Sequence, residues 1–88
     1  MAIGVFFYPD EMTEDQYREV LRKLEAAGQG SPQGRRHHFA FGDASSVMIV
    51  DVWDSQEDFA AFAEALGPIL EELGIEAEPG MLELRNSI

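Results

Sequence analysis

Val47-Met-Ile-Val-Asp-Val-Trp-Asp-Ser-Gln-Glu-Asp-Phe59 joins two elements with different signatures. From Val47 to Trp53 nearly every position is apolar and many are β-branched, which predicts a strand covered on both faces. Ser55 follows, with Asp58 three residues on, the Ser-x-x-acid pattern that caps a helix N-terminus. Phe59, Phe62, Leu66, Ile69, Leu70 and Leu73 then recur at helical spacing, so the strand feeds an amphipathic helix with Trp53 at the junction. Pro68 lacks an amide donor and crowds the preceding turn. That predicts a kink or break near residues 65–67, a short second piece to Leu73, and a stop at Gly74.

Upstream, residues 2–8 read as a strand that alternates Ile3, Val5 and Phe7 with Gly4, Phe6 and Tyr8 and is stopped by Pro9-Asp10. Thr13 and Gln16 form a capping-box pair for a first helix, whose apolar stripe is Tyr17, Val20, Leu21 and Leu24 and whose end is Gly28. Gly28 to Gly34 is a flexible connection dense in glycine and proline. A second strand is predicted from Arg36 to Gly42, hairpinned to the third (Val47 to Asp54) through Gly42-Asp-Ala-Ser-Ser46, and a last strand from Met81 to Asn86. The order βαββαβ implies an α+β, ferredoxin-like fold, a four-stranded antiparallel sheet with both helices on one face, as one domain over residues 1–88. The other face also carries apolar side chains and needs cover, and a homodimer pressing sheet on sheet supplies it.

Composition narrows the partners. An 88-residue chain buries only ~60% of its unfolded surface when alone, so it gains from self-association. Seventeen acidic against six basic side chains give a formal charge of -11, which argues against nucleic acid and anionic membrane as partners, since both attract cations. The absence of cysteine removes disulfides, thiolate catalysis and Cys-ligated metals. The segment Met1 to Tyr8 lacks the length and basic flank of a signal peptide, and no apolar run reaches the length of a membrane span, so a cytoplasmic protein is expected. No phosphate loop, nucleophile elbow or metal-ligand spacing is present, and no cofactor is expected.

The hairpin allows side chains to be assigned to faces. If Gly42 pairs with Val47, then Phe39 opposes Val50 and Phe41 opposes Met48, and with Val52 these make a wholly apolar face suited to the helices. Arg36, His38 and Ala40 then oppose Trp53, Asp51 and Ile49 on the other face, which would point into a barrel between subunits; an inserted charge at Ile49 should split such a dimer. A slip of one residue would place His37 beside Asp51 and mix polar with apolar on both faces, which disfavours it. His38 beside Asp51 is the sharpest chemical feature, because a carboxylate fixes the tautomer of an imidazole and a positioned His moves protons. The same pair also serves as a satisfied polar contact at an interface. Trp53, Arg36, Tyr8, Phe6 and Ile49 are the candidate ligand-binding residues: Trp53 as an aromatic wall or as core, Arg36 stacked on it, and Phe6 and Tyr8 sharing its face.

The strand ending Asp51-Val-Trp-Asp-Ser55 and the helix Gln56-Glu-Asp-Phe-Ala-Ala-Phe62 resemble the strand-Trp-x-Ser-helix signature of the dimeric α/β barrel superfamily, in particular of proteins similar to the antibiotic biosynthesis monooxygenase group. The resemblance implies a homodimer with one pocket per subunit between helices and sheet, where the family Trp is carried over onto Trp53. It also implies cofactor-independent oxidation of electron-rich aromatics that themselves supply electrons to oxygen. Haem-degrading relatives need a His on the helix after the Trp and an Asn on the first strand; neither is present here. Two functions are therefore expected of the chain. One is a dimeric binding or assembly module for a small apolar or aromatic ligand. The alternative is a cofactor-independent monooxygenase, or an isomerase or lyase of similar chemistry, with His38 and Asp51 in proton transfer and Trp53 as pocket wall.

Overall fold

The computed structural model describes residues 1–9 and 11–88. Its elements are β1 (Ile3–Phe7), α1 (Glu14–Ala26), β2 (Arg35–Asp43), β3 (Ser46–Trp53), α2 (Gln56–Glu72) and β4 (Gly80–Glu83). The strands form one antiparallel sheet in the order β2-β3-β1-β4, which is the ferredoxin-like α+β arrangement. No helix among the described residues is long and apolar enough to cross a membrane.

Local chemistry sets the element ends. Thr13 caps α1 in a full capping box, its hydroxyl accepting from the Gln16 amide at 3.1 Å while Gln16 Oε1 accepts from the Thr13 amide at 2.9 Å. Ser55 Oγ accepts the Asp58 amide at 3.1 Å and opens α2. The break expected near residues 65–67 is absent, and α2 runs unbroken from Gln56 to Glu72 through Pro68. Glu64, Gly67 and Pro68 are all exposed, so the Glu64 carbonyl that Pro68 cannot serve lies on the solvent side, where water can satisfy it. The stop at Gly74 is as expected, with φ at 69°.

Gly42 pairs with Val47 and His38 with Asp51, as the turn chemistry requires. The face turned to the helices is the opposite of the one expected. Val47, Ile49, Asp51 and Trp53 are buried, and Trp53 packs on Phe59 and Phe62 of α2 at centroid distances of 5.6 and 5.0 Å. The register of β1 puts Ile3, Val5 and Phe7 beside Trp53, Asp51 and Ile49, completing that core face. Phe39, Phe41, Met48, Val50 and Val52 look outward from the bare side of the sheet, joined there by Phe6 and Tyr8, which stack at 6.5 Å. Both faces of β3 are apolar, so hydrophobicity alone did not distinguish them. The deciding contacts are those of Trp53 with α2, which leaves the strand only two residues later.

Gly34 and Gly42 are fixed by space as well as by backbone, Gly42 against the Ser46 carbonyl within the hairpin. Gly34 has φ of 87°, and a Cβ there would overlap the Asp58 side chain in the first turn of α2. Its carbonyl accepts the Asp54 amide at 2.7 Å, so it ties the start of β2 to the β3–α2 junction. Gly34→Ala is expected to cost about 2 kcal/mol or more, combining left-handed backbone strain with the overlap. Gly28→Ala at φ of 80° meets nothing within 4 Å and should cost about 1 kcal/mol; paired thermal melts check the difference.

Candidate functional site

Three elements converge between the helices and the sheet. Tyr17 comes from the first turn of α1, which is anchored to the hairpin because the Glu14 amide donates to the Ala44 carbonyl at 3.0 Å and the Val47 amide to the Met12 carbonyl at 2.8 Å. His38 comes from β2, and Asp51 and Trp53 from β3, where i, i+2 spacing points both inward. The Tyr17 hydroxyl lies 2.6 Å from His38 Nε2, His38 Nδ1 lies 2.6 Å from Asp51 Oδ1, and Trp53 Nε1 donates to Asp51 Oδ2 at 3.3 Å. The result is one hydrogen-bonded chain, Tyr17–His38–Asp51–Trp53.

Donor inventory gives this chain its direction. The indole N–H can only donate, and an ionised Asp51 accepts at both oxygens, so His38 Nδ1 carries a proton toward Asp51. In neutral His38 the Nε2 lone pair then faces Tyr17, whose hydroxyl donates to it. Asp51 is 2% exposed, which makes these two donors essential to its burial. Burial raises the Tyr17 pKa above the ordinary phenol value, and the negative charge of Asp51 adds to this, while Arg35 and Arg18 work the other way. Tyr17 is therefore a protonated donor at neutral pH.

The chain borders an apolar cavity of about 50 Å³ between α1, α2 and the sheet, lined among others by Phe7, Val20, Ile49, Phe62 and Leu66 as well as Tyr17, His38 and Asp51. Ile49, expected at the ligand, does line it. Trp53 does not line it. It lies fully buried against Phe62, and its link to the site is the hydrogen bond that positions Asp51. Phe6 and Tyr8 lie across the sheet and contribute nothing to this cavity. Arg36, expected opposite Trp53, is displaced by a β-bulge between Arg35 and His37. It pairs with Asp54 at 2.5 Å on the surface, while Arg35 takes the place opposite Trp53 and lines the cavity. Tyr17 and Arg35 are the residues that sequence reasoning missed. The available signal was that a tyrosine on a buried helical stripe must find a partner for its hydroxyl.

No protein-family profile matches the chain, and no curated protein does. Solved structures do. A candidate antibiotic biosynthesis monooxygenase from Chloroflexus aurantiacus superposes with a TM-score of 0.67 at 16% identity, covering 100% of this chain and 97% of that one. SnoaB, a cofactor-independent oxygenase from Streptomyces nogalater, superposes at 0.64 with 16% identity, covering 99% and 94%. Rv0793 from Mycobacterium tuberculosis superposes at 0.73 with 8% identity, covering 99% and 98%. The chain has their fold. At these identities the likeness concerns architecture, and chemistry rests on the site itself.

Proposed function

We propose that the protein binds a small aromatic molecule between its helices and sheet and removes a proton from it, in the manner of a cofactor-independent oxygenase. The observation that carries this reading is the directed chain Tyr17–His38–Asp51–Trp53 ending at an apolar cavity. A substrate hydroxyl placed against Tyr17 gives its proton to the Tyr17 oxygen as the Tyr17 proton passes to His38 Nε2. The imidazolium that forms is paired with Asp51, whose buried carboxylate stabilises its charge. The deprotonated, electron-rich ring then reduces molecular oxygen. One ring carbon exchanges its C–H for a bond to oxygen and the phenolic O–H is lost, so that both carbons end as quinone carbonyls; the second oxygen atom leaves as water with the two hydrogens. The likeness to structures described as monooxygenases supports this over other proton-transfer reactions.

A second reading, a binding or assembly module, is favoured by one observation: the cavity is about 50 Å³, whereas ~150 Å³ is a size that takes up benzene. A ring can enter only if rim side chains such as Leu21 and Leu70 move apart. In both readings the bare sheet face carries a second copy of the chain, its apolar surface being the support for a homodimer. Oxygen uptake with 1,5-dihydroxynaphthalene separates the two. Wild type is expected to exceed the spontaneous rate, and His38→Ala to lose about 10²–10⁴-fold of that enhancement with the fold intact; Tyr17→Phe should fall with it. No uptake above buffer in wild type, or an unaffected His38→Ala, would sink the enzymatic reading.

A further inference from the structure

Six Lys and Arg side chains stand among seventeen carboxylates in this chain. Five of them form ion pairs: Arg18 with Glu14, Arg22 with Glu19, Lys23 with Glu72, Arg36 with Asp54, and Arg85 with Glu83. The sixth is Arg35, which has no carboxylate partner among the described residues. It is also the one that lines the apolar cavity. Its guanidinium carbon sits 5.9 Å from the centroid of the Phe62 ring, and among the described residues the one hydrogen bond of the guanidinium is a long one, 3.4 Å, from Nη2 to the Gly30 carbonyl. A guanidinium has five N–H donors in a planar fork, so most of the donor capacity of this cavity-lining side chain is unspent.

The backbone delivers this side chain by a specific device. In a regular strand the inward position two residues before His38 would be held by Arg36. The bulge between Arg35 and His37 inserts one residue, turns Arg36 out to Asp54 and brings Arg35 opposite Trp53. Gly34 at positive φ, locked against Asp58 and Asp54, fixes the approach to it. Arg35 is half-buried and forms no ion pair among the described residues, and Asp51, the carboxylate that lines the same cavity, is already engaged by His38 and Trp53.

We infer that Arg35 is an anion-recognition residue and that the ligand is an aromatic acid, a ring bearing a carboxylate or comparably delocalised oxyanion whose charge pairs with Arg35 while the ring lies on Phe62. The proposal rests on the reading above in taking the cavity as the ligand site, and it adds the class of molecule. An anion held there also places the ring beside Tyr17 and His38, which line the same cavity.

The test is binding, read without turnover. Trp53 is the only tryptophan of the chain and lies against Phe62, so its fluorescence reports the site. Benzoate is expected to bind wild type about tenfold to a hundredfold more tightly than benzamide, its neutral counterpart of the same shape, from a charge-assisted bidentate pair. Arg35→Met keeps an unbranched apolar side chain at the cavity wall and removes the charge; in it benzoate should fall to the level of benzamide, with the affinity for benzamide unchanged. Equal binding of the two probes to wild type would overturn the proposal. So would undiminished benzoate binding in Arg35→Met, or the absence of any benzoate response up to about 10 mM. Loss of both probes together in Arg35→Met would reduce Arg35 to a structural role. If Arg35-dependent benzoate binding appears without oxygen uptake, anion recognition stands and the oxygenase reading falls; uptake that depends on His38 with no preference for benzoate gives the converse.

Discussion

Replacing Asp51 by alanine is expected to lower the melting temperature by about 15 °C, because it leaves one buried and one partly buried donor without acceptors in a small domain. Those donors are the imidazole Nδ1–H of His38 and the indole N–H of Trp53. Each orphaned donor costs about 1–3 kcal/mol, the larger share falling on Trp53, which is fully buried against α2, whereas the His38 side chain is 23% exposed. Asp51→Asn separates stability from chemistry. Its carbonyl oxygen can still accept from Trp53, while its amide must donate toward His38. That forces Nδ1 to become the acceptor and moves the imidazole proton to Nε2, which then donates to Tyr17. The basic lone pair has left the cavity side. Asp51→Asn should therefore melt only about 5 °C below wild type yet lose the oxygen-uptake activity as fully as His38→Ala. In a His37→Gln background a single imidazole remains, and its ¹⁵N chemical shifts read the tautomer directly. An Asp51→Asn protein with an unprotonated Nε2 and full activity would refute the directed chain.

The parts of this molecule that could be read in the sequence are those fixed by local chemistry. Thr13 with Gln16 and Ser55 with Asp58 each satisfy helix-end amides within a few residues, and the tight hairpin sets the register of β2 on β3, so His38 met Asp51 as expected. Facing is a different matter. The pairing of β1 with β3 spans about forty-five residues of chain, no turn fixes it, and both sides of β3 are apolar, so pattern had no means of choosing which side the helices cover. The packing of Trp53 on Phe59 and Phe62 of α2 decides it, and it exists only in three dimensions. The bulge was equally hidden: Arg35-Arg-His-His38 has no glycine or proline to mark an extra residue, and the exchange of Arg36 for Arg35 follows from how Gly34 is held by α2. Pro68 erred in the other direction, since a helix tolerates proline where the freed carbonyl faces solvent.

The facing has its own consequence for self-association, tested by a charge at the centre of the bare sheet. Val50 lies between Phe39 on β2 and Phe6 on β1. Around it Phe39 is 49% exposed, Phe41 52%, Tyr8 63% and Leu82 67% in the isolated chain. A contiguous apolar and aromatic surface of this kind across a sheet is uncommon on a stable monomer. In a sheet-on-sheet dimer a Val50→Asp carboxylate would be buried without a partner in each subunit, close to its own symmetry mate, and the two charges would oppose association by several kcal/mol. Wild type is expected to sediment at twice 9.8 kDa and Val50→Asp at 9.8 kDa, with a lower melting temperature that no longer depends on concentration. Ile49, the neighbouring position, distinguishes loss of pairing from loss of folding: its side chain is 6% exposed beneath the helices, so Ile49→Asp should unfold the chain outright. The cavity is bordered by α1, α2 and the helix side of the sheet. A folded Val50→Asp monomer should therefore keep the difference between benzoate and benzamide that Arg35 sets. A wild type that sediments at 9.8 kDa at tens of micromolar, or a Val50→Asp protein that stays paired, would place the self-association surface elsewhere.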